Sequence, residues 1–111
     1  MYCIRHNFTL KSIGELIHNK LLSRKVSIIN EFGIHARPAA MIAKIAQKAE
    51  KTVWIGSEGD RADASSVIDI LSICGKKGNL IILEIETEND IGVLESIAQL
   101  IKQGFGEKID E

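Results

Sequence analysis

Apolar spacing in this chain switches repeatedly between a period of two and a period of about 3.6 residues, and that succession constrains the fold more than any single motif does. The alternation is plainest over residues 80–86, where Ile81, Leu83 and Ile85 take one side of a strand. Directly afterwards Val93, Leu94, Ile97, Leu100 and Ile101 recur at helical spacing. Asn89 or Asp90 is placed to cap that helix, and Gly104 to terminate it as C′. Earlier, Met41, Ile42, Ile45, Ala46 and Ala49 mark one face of a helix over residues 36–49, with Lys44, Gln47, Lys48 and Lys51 elsewhere on it. Strands are expected over residues 25–29, 52–55 and 61–64, with residues 56–60 as a turn. In the first of these, Val26 and Ile28 share a face. Residues 67–73 form a short helix, and residues 75–79 a loop. The order βαββαβα predicts an α+β fold, with a four-stranded antiparallel sheet and three helices on one of its faces.

The junction between the first strand and the first helix carries Gly33-Ile34-His35-Ala36-Arg37-Pro38-Ala39. It places an imidazole at a helix cap, an arginine two residues on, and the chain's single proline in the first turn, where a missing N–H costs nothing. Helix N-termini present unpaired N–H groups and a partial positive charge, so they receive phosphate readily. Arg37 adds a planar fork suited to phosphate oxygens, and Gly33 lets the backbone approach closely. These residues describe a site for a transiently phosphorylated histidine.

The same stretch resembles the active-site signature of the HPr family, the histidine-containing phosphocarriers of the bacterial phosphotransferase system. A second landmark agrees: Ala64-Ser65-Ser66-Val67-Ile68-Asp69-Ile70-Leu71 is similar to the family's regulatory-serine helix, at a distance from His35 that fits without a gap. The ending Gly104-Phe105-Gly106-Glu107 and the Ser65-Ser66-Val67-Ile68 stretch look like the nitrogen-branch relative, NPr. The likeness covers residues 25–107 or so and implies an open-faced β-sandwich, in agreement with the reading of the periods.

The resemblance implies a carrier, not an enzyme with turnover of its own. His35 would accept a phosphoryl group at Nδ1 from enzyme I, which is charged from phosphoenolpyruvate. It would pass the group to a IIA-type acceptor of a sugar or nitrogen branch. Ala36 and Arg37 would bind the phosphate. Val67, Ile68 and Leu71 would dock partners. Ser66 has two readings. With Asp69 three residues on, it is an N-cap; by resemblance it is also a phosphoserine site for an HPr kinase/phosphorylase. Ser65 stands where regulated members often carry lysine, and Phe32 where many have a small polar residue. Both departures lean toward the nitrogen branch.

Composition narrows the alternatives. A chain of 111 residues is long enough for one core without staples. A net charge of −1 gives no case for nucleic acid. No apolar run approaches the ~20 residues that cross a bilayer. Cys3 and Cys74 form no metal-ligand spacing and read as reduced thiols of a cytoplasmic protein, and no metal or cofactor is called for. His6 and His18 lack ligand partners and read as solvated, and Trp54 as sheet packing. Residues 1–24 stand apart from the carrier domain of residues 25–111. Leu10, Ile13, Ile17 and Leu21 form an amphipathic stripe there, consistent either with an unanchored terminus or with a helix packed on the open sheet face or on a second copy. Two other functions fit the element order: a ferredoxin-like module that binds a small ligand, and an HPr-like regulatory partner that carries no phosphate.

Overall fold

A computed structural model describes residues 22–57, 59–73 and 76–107. The element order is β1 (Ser23–Ser27), α1 (Ala36–Ala46), β2 (Trp54–Ser57), β3 (Asp60–Asp63), α2 (Val67–Ser72), β4 (Leu80–Glu84) and α3 (Ile91–Lys102). Single 3-10 turns stand before and after α3, at Glu88–Asp90 and Gly104–Gly106. The four strands form one antiparallel sheet in the order β1-β4-β2-β3. The first strand therefore pairs with the last, with Val26 opposite Ile81.

Alternation along the strands sends Val26, Ile55, Ala62, Ile81 and Leu83 into the core. There they meet Ile42, Ala43 and Ala46 of α1, Ile70 of α2, and Leu94, Ile97, Ala98 and Ile101 of α3. Ion pairing of Arg24 with Glu95 ties β1 to α3 on the same face. Trp54 lies on the other face, where the Arg61 guanidinium stacks 4.1 Å from its ring centroid and its Nε1–H donates to Glu86 at 3.0 Å. It is part of the sheet's own packing, as expected.

Several boundaries differ from the sequence expectation. Strand β1 starts at Ser23, and Leu22 is already buried, with its carbonyl accepting from Ile85 N. The expected turn over residues 56–60 is shorter: Gly56, Ser57 and Asp60 belong to β2 and β3, and the chain reverses around Gly59 at φ +81°. Gly56 is a strand residue because the neighbouring strand lies against it; a Cβ there would sit 2.1 Å from Asp60 O.

Helix α1 ends at Ala46, not residue 49. Its last turn tightens into i→i−3 bonds from Lys48 and Ala49, and Asp90 then takes the amides of Glu50 and Lys51 at 2.8 and 3.0 Å. Asp90 is thus the residue before α3, but its side chain does not cap that helix. Gly104 does follow α3 at φ +65°, as its C′ position requires. Of the amphipathic helix expected over residues 9–22 only Leu22 is described, as the residue that leads into β1; the rest, together with Cys3, His6, His18 and Cys74, lies outside the described residues.

Candidate functional site

Helix α1 and the two segments beside it assemble the site. The chain leaves β1 and reverses over Asn30-Glu31-Phe32-Gly33, closed by Gly33 N–H donating to Asn30 O at 3.1 Å. Asparagine at the first position and glycine at the fourth suit such a turn, and Gly33 adopts φ +64°. Ile34 is buried and anchors the exit of the turn. His35 then takes the N-cap position in extended backbone, φ −115° and ψ −165°, and its side chain makes no capping bond. Its carbonyl accepts the first helical hydrogen bond, from Ala39 N at 2.9 Å. The amides of Ala36 and Arg37 precede that bond, so they are helix-start donors without intrahelical partners.

The His35 side chain is 42% exposed and that of Arg37 is 52% exposed. One carboxylate joins them. Glu107 Oε2 lies 2.8 Å from His35 Nε2 and accepts from Arg37 Nη2 at 2.8 Å. Arg37 Nη2 also donates to Phe105 O at 3.1 Å, and its Nη1 to Met41 Sδ at 3.3 Å. The other Glu107 oxygen accepts from Asn30 Nδ2 at 2.9 Å. Burial works to raise the Glu107 pKa, but the hydrogen bonds from Asn30, Arg37 and His35 and the charge of His35 outweigh it. The carboxyl is held below the usual carboxylate range.

Glu107 reaches this place because the chain turns sharply after α3. Phe105 is buried at φ +59° between two glycines that are themselves at positive φ. The buried ring anchors the tail, and Glu107, two residues on, lies beside the start of α1.

Ser66 is the cap of α2: its hydroxyl accepts from Asp69 N at 3.2 Å. Asp63 braces the approach by accepting from both Ser65 N and Ser65 Oγ. Of the three expected docking residues, Ile68 is 78% exposed, whereas Val67 and Leu71 are half-buried against the core. Phe32, 77% exposed, is a second large apolar side chain open to solvent, and Leu80 is also exposed. The sequence reading had not placed Asn30 or Glu107 in the site. Asn30 carried a local signal, the Asn-x-x-Gly turn. Glu107 carried none, being far from His35 along the chain.

Comparisons with known proteins bear on the family and the fold. Residues 22–103 match the PTS-HPr family, described as the PTS HPr component phosphorylation site. Phosphocarrier protein NPr of Escherichia coli is 32% identical over 87 residues, spanning 78% of this chain and 97% of that protein. Phosphocarrier protein HPr of Neisseria meningitidis is 26% identical over 78% of this chain and 98% of its own length. The fold is similar to a crystal structure of HPr from Thermoanaerobacter tengcongensis, with a TM-score of 0.73 and 29% identity over 78% of this chain and 98% of that one. These findings displace the ferredoxin-like alternative. With a matching family signature, matching relatives and a shared open-faced sandwich, the chain belongs to the HPr family of phosphotransferase-system phosphocarriers.

Proposed function

We propose that the protein carries a phosphoryl group on His35, taking it from enzyme I and giving it to a IIA-type acceptor of a sugar or nitrogen branch. The observation that carries this reading is the half-exposed His35 ring at the start of α1, linked to the Arg37 guanidinium through Glu107. On acceptance the lone pair of the His35 ring forms the new N–P bond, and on donation the lone pair of the acceptor's histidine does. The N–P bond to the donor histidine breaks, and the donor nitrogen keeps that electron pair. The amides of Ala36 and Arg37 and the remaining Arg37 donors would hold the phosphoryl oxygens. Such a site works by positioning and electrostatics, with no further covalent machinery.

Exposed Ile68, with half-buried Val67 and Leu71, would contact partners. Ser66 serves this reading as a cap; phosphorylation by an HPr kinase/phosphorylase would add about two negative charges at the same helix start. Among the described residues no helix is long and apolar enough to cross a membrane, which fits a cytoplasmic carrier.

Incubation with phosphoenolpyruvate and enzyme I tests the proposal. Wild-type protein should gain one acid-labile phosphoryl group, and folded His35→Ala should gain none. Labelling of His35→Ala would move the site elsewhere, and unlabelled wild type would favour a regulatory partner that carries no phosphate.

A further inference from the structure

We infer that Asn30 and Glu107 are positioning residues: Asn30 fixes the Glu107 carboxylate so that it holds the hydrogen on His35 Nε2 and leaves the ring's lone pair at Nδ1. The consequence rests on the phosphocarrier reading; the geometry does not.

Asn30 is fully buried, and buried amides are retained where their hydrogen bonds do something specific. Its Nδ2 bridges two elements, donating to Gly33 O at 2.7 Å in the turn that delivers His35 and to Glu107 Oε1 at 2.9 Å in the tail. Its Oδ1 finds no partner among the described residues, so the amide is committed through its nitrogen alone. One side chain therefore sets the distance between the histidine turn and the carboxylate. An ionised carboxylate only accepts hydrogen bonds, so the 2.8 Å contact requires Nε2 to be the protonated nitrogen. A neutral ring with hydrogen on Nε2 has its lone pair on Nδ1.

When that lone pair forms the N–P bond, the ring gains positive charge. Glu107 already faces it from the opposite nitrogen. The carboxylate thus stabilises the charge that develops, without reorganising. The charge leaves again when the ring returns the phosphoryl group and recovers its electron pair. Arg37 shares the same carboxylate oxygen, which keeps that oxygen from taking the proton outright.

The test uses the full chain. In wild type, ring 15N shifts of the neutral form of His35 should report hydrogen on Nε2, and 13C spectra should show the Glu107 carboxyl titrating below ordinary glutamates. In folded Asn30→Leu the Glu107 midpoint should rise toward the ordinary range. Asn30→Leu and Glu107→Gln should each slow phosphoryl acceptance about tenfold, the scale of one charge-assisted hydrogen bond, with kcat falling more than KM changes. Their combined loss should fall well short of the product of the two, because Asn30 acts through Glu107.

An unmoved Glu107 titration in folded Asn30→Leu, or fully multiplicative losses, would overturn the inference. If Asn30→Leu does not fold, Glu107→Gln decides alone, and ring shifts and rate equal to wild type would sink it. Failure of the wild type to accept phosphoryl groups would instead refute the carrier reading while leaving the ring and carboxyl spectra to judge the geometry.

Discussion

The rings of Phe32 and His35 meet edge to face, with centroids 6.3 Å apart and planes at 89°. That arrangement is the favoured one for aromatic pairs. It leaves the outer surface of Phe32 open to solvent beside the His35 imidazole.

Phe32→Ala should therefore raise KM for phosphoryl transfer from enzyme I several-fold, since exposed aromatics beside a site are frequent anchors for a partner. Stability should change by less than about 0.5 kcal/mol, because the side chain buries little. Steady-state transfer kinetics and a melting curve check the two halves. An unchanged KM would leave Phe32 as a neighbour of His35 only.

Arg37→Lys keeps the charge and loses the fork. It also loses the simultaneous contacts with Glu107, Phe105 O and Met41. His35 should still be phosphorylated, with transfer slowed in both directions. Rates equal to wild type in rapid-quench experiments would show that the guanidinium does not touch the phosphoryl group.

Ser66→Asp keeps a good N-cap, so stability should hold. The new charge should weaken the encounter with enzyme I, which gains on-rate from charge complementarity. Ile68→Glu should do so more strongly, as Ile68 is the most exposed apolar residue of the proposed docking helix. Titration of each folded variant against enzyme I decides the matter, and wild-type kinetics in both would place the docking surface elsewhere.

Asp90→Ala should destabilise the fold by about 2 kcal/mol, since it leaves the amides of Glu50 and Lys51 without their carboxylate acceptor in a buried place. In a domain of this size that is a fall in Tm of roughly 10 °C. Asp90→Asn, which keeps one acceptor oxygen, should lie between. Calorimetry of the three proteins measures it.

The Glu107 contacts should show in the pH dependence of stability. The folded pKa lies below the unfolded value of about 4.3, so the folded state binds fewer protons at this group as pH falls. Its stabilisation is complete above that unfolded value and is lost as pH drops through the folded pKa. Denaturant midpoints measured from neutral to acid pH should fall less steeply for Glu107→Gln than for wild type. Parallel curves would show that the carboxylate is not engaged.

Local patterns announced most of this architecture. The alternation of Ile81, Leu83 and Ile85 and the spacing of Leu94, Ile97 and Ile101 describe elements that bury those very residues. Ser66 and Gly104 are local too, because a cap and a C′ residue act within one turn of their own helix. The end of α1 was not legible, since it depends on Asp90 reaching from the turn before α3 to amides distant in sequence. Gly56 looked like a turn residue because its reason is a strand pressed against it, which only tertiary structure supplies. Glu107 was hidden for the same cause: its place beside His35 follows from how Phe105 seats the tail.

Among the described residues the strand order leaves β1 and β3 at the borders of the sheet. Four residues, Asp60-Arg61-Ala62-Asp63, make up β3, and three of them are charged. β1 carries Arg24 and Lys25. Short, charged borders resist the addition of a foreign strand, because each added backbone would have to bring these charges out of water. Under the proposed function the chain would meet several different proteins and part from each, and a sheet that discourages strand-to-strand adhesion would leave those meetings to the tip that holds His35.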